Sequence, residues 1–119
     1  MTTQTKNGDF HLEEMTQSAA EAAAMMRALS NEGRLLVLCH LVEGPKTVGE
    51  LERALGYSQP HVSQLLARLR HEGFVDSKRH GRSVQYSIAD DRLRAVIMAL
   101  HEAFCPVNNA NGSIPATGT

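Results

Sequence analysis

The side chains best suited to chemistry lie between residues 58 and 82 of this 119-residue chain. Hydrogen-bonding groups on the outer face of a predicted helix are concentrated towards its N-terminal half: Ser58, Gln59, His61, Ser63, Gln64 and Arg68. Short amides, hydroxyls and imidazoles in this position can meet base edges in the major groove of DNA. A cationic cluster of Arg79, His80 and Arg82 follows and can contact phosphates. The pattern indicates a DNA-binding surface.

Two short helices within residues 47–71 are expected to position the base-reading groups. Thr47 and Glu50 have the spacing of a capping box, in which each side chain accepts a hydrogen bond from the other residue's backbone N–H. Gly56 predicts the end of the first helix, because glycine readily adopts the left-handed conformation found there. Ser58 can cap the second helix. The predicted core stripe of that helix is Val62, Leu65, Leu66 and Leu69.

A β-hairpin is predicted directly after these helices, over residues 74–88. Val84, Tyr86 and Ile88 alternate on its return strand, and Gly81 lies at its cationic tip. The helix pair alone would also fit any small helical domain, but a helix-turn-helix followed by such a hairpin is typical of a winged helix. The predicted fold is therefore mainly α with a small β-hairpin, in the order α-α-α-α-β-β-α, and dimeric.

Three further helices are predicted around this unit. The first, over residues 10–29, has an apolar stripe of Met15, Ala19, Ala22, Met26 and Leu29. The second is predicted over residues 31–43, and the side chains expected to face the core are Leu35, Leu38, Cys39 and Val42. The last begins after the cap residue Asp90 and ends near Cys105, because Pro106 disfavours continuation. It carries Leu93, Val96, Ile97, Leu100 and Phe104 on one face. Apolar residues on several sides of the first and last helices suggest a dimer interface.

Charge and composition narrow the class of protein. The net charge is −1, but residues 60–82 hold five Lys or Arg against two acids, whereas residues 1–32 hold two against five. The positive charge is therefore local, as DNA binding through one face requires. No signal peptide and no apolar stretch near the roughly 20 residues of a membrane span is found, so a soluble cytoplasmic protein is expected. The polar tails 1–9 and 106–119 are expected to be disordered, leaving residues 10–105 as one DNA-binding and dimerisation domain.

With these residues in place, the chain resembles the ArsR/SmtB family of dimeric winged-helix repressors. The resemblance covers residues 20–104 and is carried by ALSNEGRLLVL, by VGELERALGYSQPHVSQLLARLRHEGFV and by HGRSVQYSI. It implies a homodimer built by the first and last helices, and recognition helices that enter successive major grooves of an operator that is expected to be palindromic. It also implies contacts to the DNA backbone by Arg79, His80 and Arg82, and base reading by Ser58, Gln59, His61, Ser63 and Gln64.

The resemblance also suggests what the protein senses. The family's cysteine box is absent from residues 47–51, and the histidine partner expected after Asp91 is replaced by Arg92 and Leu93. Cys39 and Cys105 instead match the paired thiols of the BigR/SqrR subgroup, which responds to persulfides by forming a sulfur bridge. The resemblance therefore implies that a polysulfide, such as a tetrasulfide, joins Cys39 to Cys105 and relieves repression. No cofactor and no metal site is predicted.

Other functions remain open from the sequence. His101 and Cys105 are four residues apart, so with Cys39 or His40 they could bind copper, zinc or arsenic in a metal-responsive repressor. A thiol oxidoreductase is disfavoured because the two cysteines form no Cys-x-x-Cys motif. The winged fold could also serve as an interaction module without DNA. Non-enzymatic, sulfur-responsive DNA binding is the favoured interpretation.

Overall fold

The computed structural model describes residues 10–105 of the chain. Within that range the elements follow in the order α1 (Leu12–Leu29), α2 (Glu32–Val42), β1 (Lys46–Thr47), α3 (Val48–Leu55), α4 (Gln59–His71), β2 (Val75–His80), β3 (Ser83–Ile88) and α5 (Asp91–Phe104). None of the described helices is long and apolar enough to cross a membrane. The two tails predicted to be disordered, 1–9 and 106–119, lie outside the described residues. The predicted order of helices and hairpin is confirmed.

The hydrogen bonds and backbone angles confirm the predicted start and end of α3 and the predicted start of α4. Thr47 Oγ1 accepts the backbone N–H of Glu50 at 3.1 Å, and Glu50 Oε1 accepts that of Thr47 at 2.9 Å, which completes the capping box. Gly56 ends α3 with φ 73°. Ser58 Oγ accepts the backbone N–H of His61 at 3.3 Å and caps α4. These local interactions fix the angle of the turn between the two helices.

The hairpin is part of a three-stranded antiparallel sheet with the order β1-β3-β2. Strands β2 and β3 pair from Val75 opposite Ile88 to His80 opposite Ser83. Strand β1 pairs Lys46 with Tyr86 and Thr47 with Gln85. The sequence did not predict β1, because two residues are too few to display alternation. This strand joins the start of the helix-turn-helix to the hairpin.

The core forms where α4 packs against α2 and α3, and α5 contributes to it from its contact with α2. The predicted stripe of α4 is buried in full, with Val62, Leu66 and Leu69 at most 1% exposed. It shares one apolar cluster with Val37, Leu38, Leu41, Leu51, Val75, Leu93 and Ile97. Burial of a side chain of this size stabilises the fold by about 1.5–3 kcal/mol, so this cluster holds the reading helix against the rest of the domain.

The predicted inner face of α2 was only partly correct. Leu38 is buried as predicted, and Leu35 and Val42 are partly buried against the core. In α2 the buried side chains are Val37, Leu38 and Leu41, whereas Cys39 is exposed. Residue 39 lies far around the helix from this buried group, because each residue turns the chain by about 100°. When a helix is apolar on two sides, the helical spacing of its apolar residues does not identify the side that is buried.

The predicted apolar stripe of α1 is also only partly buried, whereas the predicted face of α5 packs on the core through Leu93, Val96, Ile97 and Leu100. In α1 the buried residues are Met25, Ala28 and Leu29. Of the predicted apolar stripe of α1, Leu29 is buried, whereas Met15 and Met26 are 43% and 47% exposed. Ala19 is exposed as well. At the end of α5, Phe104 is 79% exposed. These apolar side chains therefore lie on the surface of the single chain.

The two glycines of α3 are expected to respond oppositely to alanine. Gly56→Ala forces a Cβ into the left-handed region and should lower the free energy of unfolding by about 1 kcal/mol. Gly49→Ala adds a Cβ at ordinary contact distance, 3.5 Å from Arg53 Nη1, and should raise it by roughly 0.5–1 kcal/mol through helix propensity. Urea denaturation followed by circular dichroism measures both. Changes of the same sign would contradict the assigned end of α3.

Candidate nucleic-acid interface and thiol pair

The N-terminal half of α4 turns the predicted base-reading side chains away from the core. Burial of Val62, Leu65 and Leu66 fixes the rotation of the helix about its axis. The opposite side then carries Gln59, His61 and Gln64 as exposed residues and Ser63 as a half-buried one, with the cap residue Ser58 exposed before them. The structure thus brings five of the six predicted helix residues together on one outer surface.

Two of these side chains have partners within the chain. Gln59 Nε2 donates to Ser63 Oγ at 2.8 Å, one helical turn away. The ring of His61 stacks on Tyr57, with centroids 4.4 Å apart and planes at 28°. Tyr57 was missed by the sequence reasoning, although an aromatic residue four positions before a histidine is a signal for such a contact. Both contacts restrict the rotamers of groups that face outward.

The wing presents its cations at the tip of the hairpin. Strands β2 and β3 end at the pair of His80 and Ser83, so Gly81 and Arg82 form a two-residue loop, and Gly81 has φ 62°. Arg79, His80 and Arg82 are exposed, as predicted. Within residues 10–105 none of the three has a carboxylate oxygen within 4.0 Å. Their positive charge is therefore available to an anionic partner.

Arg68 lies apart from the other predicted reading residues. It is seven positions after His61, about 10 Å further along the helix axis. Its Nε donates to Glu72 Oε2 at 2.8 Å. The side chain lines a cleft beside the C-terminal end of α1. Arg68 therefore belongs geometrically to the C-terminal half of α4.

Cys39 and Cys105 are both free and exposed. The pKa of Cys39 is raised, first because neighbouring atoms exclude part of its water and second because of the negative charge of a Cys105 thiolate. The side chain thus reaches solvent and is still partly desolvated. Helices α2 and α5 are in contact, so the two thiols lie on neighbouring elements, Cys39 on α2 and Cys105 just beyond the end of α5.

The backbone around the two thiols is tied together by hydrogen bonds. Cys105 N–H donates to the carbonyl of His101 at 2.8 Å, which holds residue 105 on the last turn of α5. Arg94 Nη1 donates to the carbonyl of Val42 at 3.1 Å and joins α5 to the end of α2. In the described part of the chain no group of three or more His, Cys, Asp or Glu residues is arranged to hold a metal ion. The alternative site of Cys39, His40, His101 and Cys105 is therefore not formed within one protomer.

Exposed large apolar side chains are concentrated on two helices. Among the described residues they are Phe10, Leu12, Met15, Met26, Met98 and Phe104. All of them lie on α1 and α5 or next to the start of α1. An exposed apolar surface of this kind marks an interaction site more often than a solvated face.

Comparison with known proteins finds similarity to bacterial regulatory proteins in sequence and in structure. The family model described as bacterial regulatory protein, arsR family, matches residues 31–77. The chain is similar to the transcriptional activator HlyU of Vibrio cholerae, with 36% identity over 87% of this chain and 95% of that protein. It is also similar to the transcriptional regulator YgaV of Escherichia coli, with 43% identity over 80% and 97%. Among solved structures it resembles the transcriptional repressor BigR of Xylella fastidiosa, with a TM-score of 0.77, 36% identity and coverage of 81% and 98%.

The electrostatic effect of Cys105 on Cys39 can be measured by alkylation. In the Cys105→Ser variant the pKa of Cys39 should fall relative to the wild-type protein, because the neighbouring thiolate charge is removed. It should stay above the ordinary value of 9.0, because desolvation, the larger cause, remains. The iodoacetamide rate at Cys39 as a function of pH, read by mass spectrometry, gives the value. An unchanged pKa would mean that the two thiols do not interact.

Proposed function

The chain belongs to the arsR family of bacterial regulatory proteins, and on that premise we propose that it is a repressor that releases its DNA operator when reactive sulfur species join Cys39 to Cys105. The relatives are transcription regulators, so the oxidoreductase alternative is set aside. The observation that carries the proposal is the placement of two free, exposed thiols on α2 and just beyond α5, two helices that are in contact. The raised pKa of Cys39, to which Cys105 contributes after desolvation, agrees with this placement. Repression, rather than activation, follows the resemblance to BigR.

DNA binding divides between the two exposed surfaces of the winged helix. The residues proposed to read base edges are Ser58, Gln59, His61, Ser63 and Gln64, with Arg68 at the rim. The residues proposed to contact the phosphate backbone are Arg79, His80 and Arg82. The outward direction of the first group supports this division, as does the second group's lack of ion-pair partners among residues 10–105. Base contacts then specify the sequence, and the wing positions the protein on it.

A homodimer would present two such surfaces to DNA. Exposed apolar residues on α1 and α5, including Met15, Met26 and Phe104, support an interface formed by these helices. In a symmetric dimer the two copies of α4 enter successive major grooves about 34 Å apart. The operator is then a palindrome whose half-sites are separated by roughly one helical turn of DNA.

The sulfur reaction needs no oxidant other than the persulfide itself. A cysteine thiolate attacks the outer sulfur of a small persulfide RSSH, gains that sulfur and releases RSH. Three such transfers leave one chain of two added sulfurs and one of a single added sulfur on the two cysteines. Attack of the shorter chain on the longer one closes a tetrasulfide and expels H₂S. Two thiols and three RSSH thus give one tetrasulfide, three RSH and one H₂S.

Bridge length provides selectivity in this proposal. A direct disulfide requires Cα atoms within about 7 Å of each other. Inserted sulfur atoms extend the reach of the pair, so a spacing slightly beyond disulfide geometry would favour persulfides over peroxide. A reduced crystal structure with the two cysteines already in disulfide geometry would refute this explanation.

The bridge would act on DNA through α2. Arg94 already links α5 to the carbonyl of Val42 at the end of α2, four residues before β1 and the helix-turn-helix. A covalent link from Cys39 to Cys105 would restrain α2 against the dimer helix α5 and change the relative position of the two reading helices. Coupling of about 1–3 kcal/mol would change operator affinity roughly 5- to 150-fold.

The sulfur reaction is tested by intact mass. Reduced protein treated with glutathione persulfide should gain two sulfur atoms and lose two hydrogen atoms, with fragments mapping the change to Cys39 and Cys105. Peroxide treatment should not produce this species. Cys39→Ser serves as the control and should form no intramolecular bridge. Absence of sulfur addition to the wild-type protein would remove the sensing proposal.

The division of DNA contacts is tested by two substitutions. Gln59→Ala should change the preference at one base position by about 1–3 kcal/mol. Arg82→Ala should weaken binding to every duplex and reduce the salt slope by about one phosphate contact. Fluorescence anisotropy with a set of duplexes at several salt concentrations measures both effects. Equal losses for both variants on all duplexes would contradict the division.

A further inference from the structure

A cleft of about 540 Å³ lies on the side of the domain where the end of α1 meets the end of α4. Neither thiol and no residue of the wing tip lines it, and Arg68 is the single lining residue that was also proposed to contact DNA. Arg27 comes from the last turn of α1, Arg34 from the first turn of α2, and Arg68 and His71 from the last turn of α4. Its size lies in the ordinary range of small-molecule sites, about 300–1,000 Å³.

The charge of this cleft is strongly unbalanced. Three guanidinium groups and an imidazole face one carboxylate, that of Glu72. Glu72 pairs with Arg68 at 2.8 Å. Arg27 and Arg34 have no carboxylate oxygen within 4.0 Å in the part of the chain that the structure describes. Two arginine charges therefore remain uncompensated at one concave surface.

Arg34 is held in a fixed position. Its Nε donates to the carbonyl of Ala28 at 2.9 Å and its Nη2 to the carbonyl of Arg27 at 3.0 Å. These bonds use two of the five N–H groups of the guanidinium and leave three. The end of α1 thus anchors the arginine. Binding of an anion therefore costs little further loss of side-chain entropy at Arg34.

Phe74 gives the cleft an apolar wall. Its side chain is only 8% exposed. Its backbone N–H donates to the carbonyl of Leu69 at 2.9 Å, and its carbonyl accepts the N–H of Ala89 at 2.9 Å. The ring is therefore carried by a fixed backbone, next to the cationic groups.

We propose that this cleft binds a small organic anion that carries carboxylate or phosphate groups. Its charged end contacts Arg27 and Arg34, because guanidinium groups bind both kinds of oxyanion through paired hydrogen bonds. Its carbon skeleton packs on Phe74. A DNA phosphate is the competing occupant, and it is less suited because the cleft lies towards the C-terminal end of α4 and shares only Arg68 with the residues proposed to contact DNA.

Calorimetric titration of the full chain with citrate and, separately, with inorganic phosphate tests the site. At least one probe should bind, and Arg27→Ala should weaken that binding about tenfold, the value of one charge-assisted hydrogen bond. Glu72→Gln should strengthen it several-fold, because a repelling charge is removed while Arg68 keeps a hydrogen-bond partner. A gain of affinity cannot result from misfolding. Failure of both probes to bind, or no change in either variant, would overturn the proposal.

Arg79→Ala is the matched control, since it removes one arginine charge from the wing. It should leave citrate and phosphate binding unchanged and weaken binding to a random DNA duplex at low salt. Arg27→Ala should do the opposite. If Arg27→Ala instead weakens duplex binding as much as Arg79→Ala does, the cleft holds DNA backbone and the small-anion site is refuted. If Arg79→Ala leaves duplex binding intact, the proposed wing contact fails while the cleft stands on its own titrations.

Discussion

Burial of one face of α4 is the constraint on which the rest of the structure depends. Val62, Leu65, Leu66 and Leu69 can leave water only if α4 lies against α2 and α3 with this face inward. Rotation of the helix about its axis would expose several of these side chains, each at a cost of about 1.5–3 kcal/mol. The outward direction of Gln59, the accessibility of its neighbours and the path into the hairpin all follow from this packing.

The single chain leaves large apolar side chains of α1 and α5 exposed to solvent. In α1 burial begins only in the C-terminal half, with Met25, and α5 buries only Leu93 and Ile97. Leu12, Met15, Met26, Met98 and Phe104 of these helices are exposed in one protomer. We propose that a second copy of the chain covers these side chains. In such a dimer α1 and α5 would form the interface and would set the distance between the two copies of α4.

Helix α2 connects the regions to which function is assigned. Its inner side, with Val37, Leu38 and Leu41, contributes to the same core as α4. Its outer side carries Cys39, and its end accepts a hydrogen bond from Arg94 of α5. Arg34, at its start, anchors the cationic cleft to the end of α1. A restraint on α2 can therefore reach the reading helix through packed side chains rather than through flexible loops.

The sequence by itself determined the features that depend on neighbouring residues. The capping box of Thr47 and Glu50, the left-handed Gly56 and the cap at Ser58 arise from contacts within four residues, and all three were predicted. The stripe of α4 was predicted because its other side is polar, so only one face could be buried. Tertiary structure alone decided which side of α1 and α2 is buried, since those helices are apolar on more than one side. It likewise decided the pairing of β1 with β3, the exposure of Cys39 and the meeting of Arg27, Arg34 and Arg68 in one cleft. These features join residues that are distant in the chain, and neither periodicity nor spacing reports which distant surfaces will be in contact.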